Sequence, residues 1–253
     1  MANPQSPLVL TVYAPALADE DSRPMAVICG LERVLPGLRL DSTISSEGNL
    51  TPLSRREAWL SRGRPNGKEV RLICNSDDRY RVTVSGWERP AGVSPRGQSQ
   101  LEVHVKLPLL VAGHAVAVDA FESVGEATCA FWGRVTPEGV AAEMAQQVRH
   151  SMRQPHVSPR GLPTLKRTEE LHSPELPHHL GWLNYWSDAA AGAIGFPDST
   201  RDAELLSRSR RTATGGWVVQ LTDAPLDLDT PSHLDALKRA YERSPRIGGL
   251  SIP

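Results

Sequence analysis

The chain is poor in aromatic residues, with six Trp, four Tyr and three Phe among 253 positions, so a place where several gather marks either a core or a ligand platform. It lacks an excess of either charge: 28 basic and 29 acidic side chains leave a formal net charge of -1. That balance argues against a general nucleic-acid binder and against polybasic attachment to a membrane. Cysteine is sparse, and Cys29, Cys74 and Cys129 form no CxxC pair, which speaks against a disulfide framework and for a reducing compartment. No apolar run approaches the roughly eighteen residues of a membrane-spanning helix. The opening "PLVLTVYAPALADED" imitates a secretory leader through Ala16-Leu17-Ala18, yet no Lys or Arg precedes it and Thr11, Tyr13 and Pro15 break the run. Leu8 to Ala14 therefore reads as a buried first strand, and the cytoplasm is the expected location. A hydrophobic fraction of 40% suffices for the core of a soluble globular protein of one large domain or two small ones.

What is present is a mixture of strand and helix patterns. "RPMAVICGLERVL" spaces Met25, Ile28, Leu31, Val34 and Leu35 as a helix, with Ser22 at its cap, Pro24 in its first turn and Pro36-Gly37 as its stop. "LRLDSTIS" alternates like a strand, and "SRREAWLSRG" is a short helical patch. "EVRLICNS" and "RYRVTVSGWE", joined by Ser76-Asp77-Asp78, predict a hairpin. The turn formers of "RPAGVSPRGQSQ" (89–100) predict a surface loop. Next, "LEVHVKLPLL" alternates Leu101, Val103, Val105 and Leu107 on one face, with His104 outward. "VAVDAFESVGEATCAFWGRV" divides into a helix and a strand "ATCAFWGRV", and "PEGVAAEMAQQVRH" is a helix opened by Pro137.

Residues 154–177 are rich in proline and predict a long ordered loop or a boundary between halves. Beyond them come an extended "LGWLNYWS", a small-residue stretch "DAAAGAIGFP", a helix near "DAELLSRSRR", a strand "GGWVVQLT", and a helix capped at Thr230 whose stripe is Leu234, Leu237, Ala240 and Tyr241. Without strict βαβ order the class is α+β, an antiparallel or mixed sheet with helices packed on it in one domain, 1–253. Each side of the connection holds strand and helix, which leaves room for two related halves, 1–153 and 178–253. No repeat of residues establishes them.

Candidate chemistry is thin. His172, His178 and His179 stand beside Glu169, Glu170 and Glu175, but their spacing fits no common zinc site and they read as solvated loop histidines rather than metal ligands. Asp227 and Asp229 in "LDLD" have the spacing of a divalent-cation pair, although a carboxylate just before a helix serves equally as a cap. "GRPNGKE" (63–69) is one residue short of a phosphate loop and has Glu69 where a hydroxyl is needed, so it is a turn. GxSxG, HExxH, GxGxxG and EF-hand patterns are missing. No cofactor, metal or catalytic group is nominated. In "HHLGWLNYWS", alternation sets Trp182, Asn184 and Trp186 on one face and Leu183 and Tyr185 on the other, as in a central strand buried on both sides. The aromatics are scaffold.

A pattern runs through the C-terminal third: "GWLNYWS" (181–187), then "GGWVVQLTDAPLDLDTPSHLDALKRAYE" (215–242), with "REAWL" (56–60) upstream. A G-W-[LM]-x-Y strand, a second strand opened by Gly, an Asp-containing turn and an xPxHxxxLxxAxx helix resemble the immunity protein 52 family and the related type VI immunity family. The resemblance implies a non-enzymatic cytoplasmic α+β protein that binds a cognate toxin encoded nearby, some such toxins being nucleases. An inhibitor of a basic nuclease cleft benefits from carboxylates, and the candidates are Asp223, Asp227 and Asp229 with Glu169, Glu170 and Glu175. Two other readings stay open, a binding or scaffold module without a toxin partner and an enzyme with a dispersed site. Oligomeric state is not legible.

Overall fold

The computed structural model describes residues 7–61, 69–108, 113–148 and 157–250. In chain order the elements are β1 (Leu8–Pro15), α1 (Arg23–Val34), β2 (Ser42–Ile44), β3 (Leu50–Pro52), α2 (Arg56–Ser61), β4 (Glu69–Cys74), β5 (Thr83–Arg89), β6 (Gln100–Leu107), α3 (His114–Thr128), β7 (Trp132–Pro137) and α4 (Glu138–Ala145). The proline-rich connection follows, then β8 (Leu183–Trp186), α5 (Asp188–Ile194), α6 (Ala203–Leu206), β9 (Ser209–Arg211), β10 (Trp217–Gln220) and α7 (Pro231–Arg243). The strands form one sheet in the order β3-β2-β4-β5-β6-β1-β7-β8-β10-β9. Every pairing is antiparallel, so the fold is α+β. The sheet passes across the connection, because β7 before it pairs with β8 after it.

Residues opposite each other in antiparallel strands share a face, and the register sorts this sheet into two unlike sides. Leu8, Leu10 and Val12 face Leu107, Val105 and Val103 on β6, and Pro137, Val135 and Gly133 on β7. Leu183 and Tyr185 of β8 join this side. The result is an apolar face, and α3 packs on it against β1, β7 and β8, with α1 beside α3. The fit is close where α3 crosses Tyr185: a Cβ on Gly125 would lie 2.7 Å from the tyrosine ring. Glycine is required there for helix and sheet to touch.

The opposite side carries an aromatic row. Trp87, Glu102, Tyr13, Trp132, Trp186 and Trp217 follow one another across β5, β6, β1, β7, β8 and β10. Tyr13 stacks on Trp132 at 4.2 Å between ring centroids, while Phe196 sets its edge against Trp186 at 4.9 Å and Trp217 at 5.4 Å. Two residues along the strands lies a polar row, Ser85, His104, Thr11, Arg134 and Asn184.

The hairpin of β4 and β5 forms as expected, and all four residues of β8 are buried, with Leu183 and Tyr185 facing away from Asn184 and Trp186. Trp182 lies one residue before the strand, also buried, and its indole N–H donates to the Thr222 carbonyl at 2.9 Å. Some boundaries move. Ser22 makes no side-chain cap bond, and Asp21 accepts the Arg23 N–H at 3.0 Å instead. Helix α3 persists to Thr128, so the strand expected from Ala127 begins only at Trp132. Within 89–100 the ends belong to β5 and β6, and Ser94 is buried with its hydroxyl on the Pro90 carbonyl. The 63–69 stretch lies outside the described residues except for Glu69, which opens β4.

The described part of the proline-rich connection packs inward through Leu162, Leu165 and Leu171. Truncating the buried Trp182 indole in a Trp182→Ala variant should cost about 3 to 5 kcal/mol of unfolding free energy, read by urea denaturation. Unchanged stability in that variant would contradict its place in the core.

Candidate functional site

The site is assembled where the aromatic and polar rows reach β5, β6 and β1. Strand register puts Trp87, Glu102 and Tyr13 side by side, and His104 follows Glu102 by two residues on the same face. Glu102 is the hub. One carboxylate oxygen takes His104 Nε2 at 2.8 Å and the Tyr13 hydroxyl at 3.3 Å, and the other lies 3.4 Å from Arg89 Nε. Burial alone would raise its pKa, but the hydrogen bond and charge of His104, the charge of Arg89 and the Tyr13 hydroxyl outweigh it and hold the carboxyl below its usual range. Tyr13 is shifted upward by burial and by the neighbouring Glu102 charge, so it stays a neutral donor.

Trp87 covers this hub from outside. Its ring stacks on His104 at 4.6 Å with only 15° between planes, yet 45% of the residue remains exposed. Val93, in the loop after β5, is equally exposed. Large indoles are normally withdrawn from water, and a half-exposed Trp framed by Arg89, His104 and Glu102 has the composition of a protein-binding hot spot. The Glu102–His104 contact also has the form by which carboxylates orient imidazoles in acid–base sites. Ser85 lies across from His104 in the register.

Further along the same face the connection covers the sheet, and here the histidines differ from expectation. His178 and His179 are buried, 5% and 7% exposed, rather than solvated. The chain is drawn in by Gly248, whose N–H donates to the Pro177 carbonyl and whose own carbonyl accepts the Lys166 N–H. His178 donates from Nε2 to the Lys166 carbonyl at 2.7 Å and meets His179 edge to face at 4.3 Å. Burial lowers the His178 pKa to about 4 and pulls His179 well below its ordinary value. His172 remains exposed. Among the described residues no group of three His, Cys, Asp or Glu side chains is arranged to hold a metal ion.

The six carboxylates singled out in the sequence are spread over separate local contacts. Asp223 lies 3.4 Å from Arg208, Asp229 is held by Arg160 at 2.8 Å, and Arg167 takes both Glu169 and Glu170. Arg160 holds the Asp229 carboxyl below the usual carboxylate range. Asp227 accepts the Asp229 N–H while its own N–H donates to His233 Nδ1, which is loop and cap architecture. Glu175 accepts from the Ser173 hydroxyl. Among the described contacts, arginine meets Asp223, Asp229, Glu169 and Glu170. The residues that do converge, Tyr13, Trp87, Arg89, Glu102 and His104, are not legible as a group in the sequence, since they come from three strands and only the register unites them. The signal within reach was the polar phase of "LEVHVKL", which aligns Glu102, His104 and Lys106.

The buried histidines generate a pH dependence. Both have folded pKa values below the ordinary 6.5 or so of an unfolded histidine, so the unfolded chain takes up protons first as pH falls. Stability is therefore full above about pH 6.5 and declines as pH falls towards 4, the unfolded chain holding about one more proton per histidine than the folded one. Unfolding free energies measured across that window should slope accordingly, and His179→Phe should remove one proton from the slope. A wild-type stability flat between pH 4 and 6.5 would contradict the buried neutral pair.

Among the described residues, no helix is long and apolar enough to cross a membrane. No curated protein matches the chain. Solved structures with a similar fold include a Pseudomonas aeruginosa protein described as T6SS protein PA0821, with a TM-score of 0.58 at 13% identity over 94% of this chain and 75% of that one. At that identity the likeness is one of fold. A family model described as a domain of unknown function, DUF5953, matches residues 19–252, and the chain belongs to that family.

Proposed function

We propose that this protein is a non-catalytic binding protein of a bacterial toxin–immunity system associated with type VI secretion, acting in the cytoplasm by sequestering a cognate protein effector. The observation that carries the reading is Trp87, half exposed and stacked on His104 above the Glu102 hub. Trp, Tyr and Arg dominate the energetic centres of protein interfaces because they bury large area while keeping a polar handle. Here Trp87, Tyr13 and Arg89 stand together, with the Arg89 guanidinium 5.8 Å from the Tyr13 ring. Two further supports concern the kind of partner. The C-terminal pattern "GWLNYWS" with the α7 helix resembles type VI immunity proteins, and the fold is similar to that of a protein described as belonging to a T6SS.

In this reading the carboxylates Asp223, Asp227, Asp229, Glu169, Glu170 and Glu175 play a secondary part. A carboxylate already paired with arginine must lose that partner before it can serve another cation, and net charge near zero offers little long-range steering. Affinity then rests on the β5–β6 face, while surface charge tunes encounter. No nucleic acid, membrane or cofactor enters the mechanism.

The tagged protein should co-purify with the product of the adjacent gene at both low and high salt. Trp87→Ala should weaken that complex by at least about tenfold while lowering the melting temperature by only a few degrees, because the indole is half in water. Failure of the wild type to retain the neighbour's product, together with unimpaired toxicity in cells that carry both genes, would overturn the proposal. Turnover of a substrate by the purified protein alone, lost in His104→Ala, would replace it with acid–base catalysis.

A further inference from the structure

The tripeptide Ser-Pro-Arg occurs at 94–96, 158–160 and 244–246, and the first two copies are followed by glycine. Those two copies fold alike. Arg96 and Arg160 both take a left-handed backbone, with φ of 54° and 56°, and Gly97 and Gly161 follow at 67° and 68°. Each turn is closed on its proline carbonyl, by the Gln98 N–H at 3.1 Å and by the Leu162 N–H at 2.9 Å. The left-handed region is unfavourable for any residue with a Cβ, and such a conformation persists only where the surroundings impose it.

Two of the three arginines close on their own chain. Arg160 takes Glu143 at 2.6 Å and Asp229 at 2.8 Å, and Arg246 donates to the Ala193 carbonyl at 2.7 Å near the end of α5. Arg96 differs. It is exposed, and among the described residues no acceptor meets its guanidinium. The stretches outside those residues contain no Asp or Glu. Its backbone is nevertheless fixed: the Arg96 N–H donates to the Leu171 carbonyl at 3.2 Å, Pro95 is buried, and the Ser94 hydroxyl donates to the Pro90 carbonyl at 2.9 Å. An anchored loop thus presents one cation to solvent.

The loop leans to the Trp87 side of the sheet, because it packs on residues 168–170, where the Thr168 hydroxyl accepts from Arg89 at 3.4 Å. Trp87 and Val93, both 45% exposed, lie just before Arg96 in the chain. On this side Glu102 is shared by Arg89 and His104, and Lys106 is paired with Glu138. Glu88 points to the opposite side of β5, since side chains alternate along a strand. The charge left over beside Trp87 is therefore positive.

We propose that Arg96, with Trp87 and Val93, forms a clasp for an acidic segment of the protein partner, the guanidinium taking a side-chain carboxylate while apolar residues beside it cover the indole and the valine. The inference rests on the toxin-binding reading of this face and adds the chemistry of what is bound. Arg160 supplies the precedent within the chain: the same tetrapeptide in the same conformation grips two carboxylates. Guanidinium forks match carboxylates in geometry. An exposed ion pair alone contributes little, but apolar cover lowers the local dielectric and strengthens it, and Trp87 and Val93 offer that cover.

Affinity of the full chain for the product of the adjacent gene should be measured by biolayer interferometry at low and high salt. Arg96→Gly, which suits the left-handed backbone, should keep or raise the melting temperature yet weaken the complex about tenfold at low salt. Arg96→Glu should weaken it further. Added salt should weaken the wild-type complex more than that of Arg96→Gly, because screening acts on the charge that the variant lacks. Arg33→Gln, an exposed position on α1 across the sheet, removes the same charge and should bind as the wild type does. Wild-type affinity in both Arg96 variants, with Trp87→Ala still weakened, would overturn the clasp and leave the toxin-binding reading standing. Equal weakening by Arg33→Gln would also overturn the clasp, as an effect of net charge alone, and no complex with the wild type would overturn both.

Discussion

The molecule depends on one close crossing: the backbone at Gly181 passes over β7 with no room for a side chain, 2.6 Å from the Val135 carbonyl to where a Cβ would stand. Asn184 secures it by engaging both polar groups of the Gly181 backbone, and a further bond runs from Asn184 Nδ2 to the Val219 carbonyl at 3.4 Å. Because Asn184 is wholly buried, its amide is satisfied only when the chain takes this path. The crossing then directs what precedes and follows it. Upstream, His178 and His179 are pressed beneath the connection; downstream, Trp182 and β8 enter the sheet beside β7. Tyr241 on α7 ties the C-terminal helix to the same point through Leu180.

From that arrangement follows an asymmetry of the sheet. One face is aliphatic and closed by α1 and α3, as a structural core should be. The other alternates an aromatic row with a polar one, and it is covered only in part. Under the connection Thr11 and Asn184 are buried, Arg134 is half-buried, and burial lowers the pKa values of His178 and His179; at β5 and β6 the face meets water, with Trp87 and Val93 exposed. A sheet side that mixes indoles with an Arg–Glu–His cluster is poor material for a core and good material for contact with another molecule. The proposed partner surface occupies the wet end of this face.

Much of this was legible in the sequence. The α+β class, the hairpin of β4 and β5, the helical stripe of α7 and the two-sided burial of β8 follow from period-two and period-3.6 patterning. Local patterning could not reveal pairing between distant strands, which is what brings Tyr13, Trp87, Glu102 and His104 together from positions up to 91 residues apart. The burial of the histidines is hidden from the sequence for a related reason. His178 and His179 lie in a polar, proline-rich stretch, and only the bonds from Gly248 to Pro177 and Lys166 reveal that this stretch is drawn inward. The carboxylates show the converse: Asp229 and Glu170 look exposed and available in sequence, whereas Arg160 and Arg167 engage them in the folded chain.

Hydrogen–deuterium exchange of the full chain, free and mixed with the adjacent gene's product, addresses the binding surface without altering a residue. The account expects slowed exchange on complex formation in residues 83–107, which carry Trp87, Arg89, Val93, Glu102 and His104. Slowing confined to residues 223–243, with β5 and β6 unaffected, would contradict it and return the interface to the aspartates before α7.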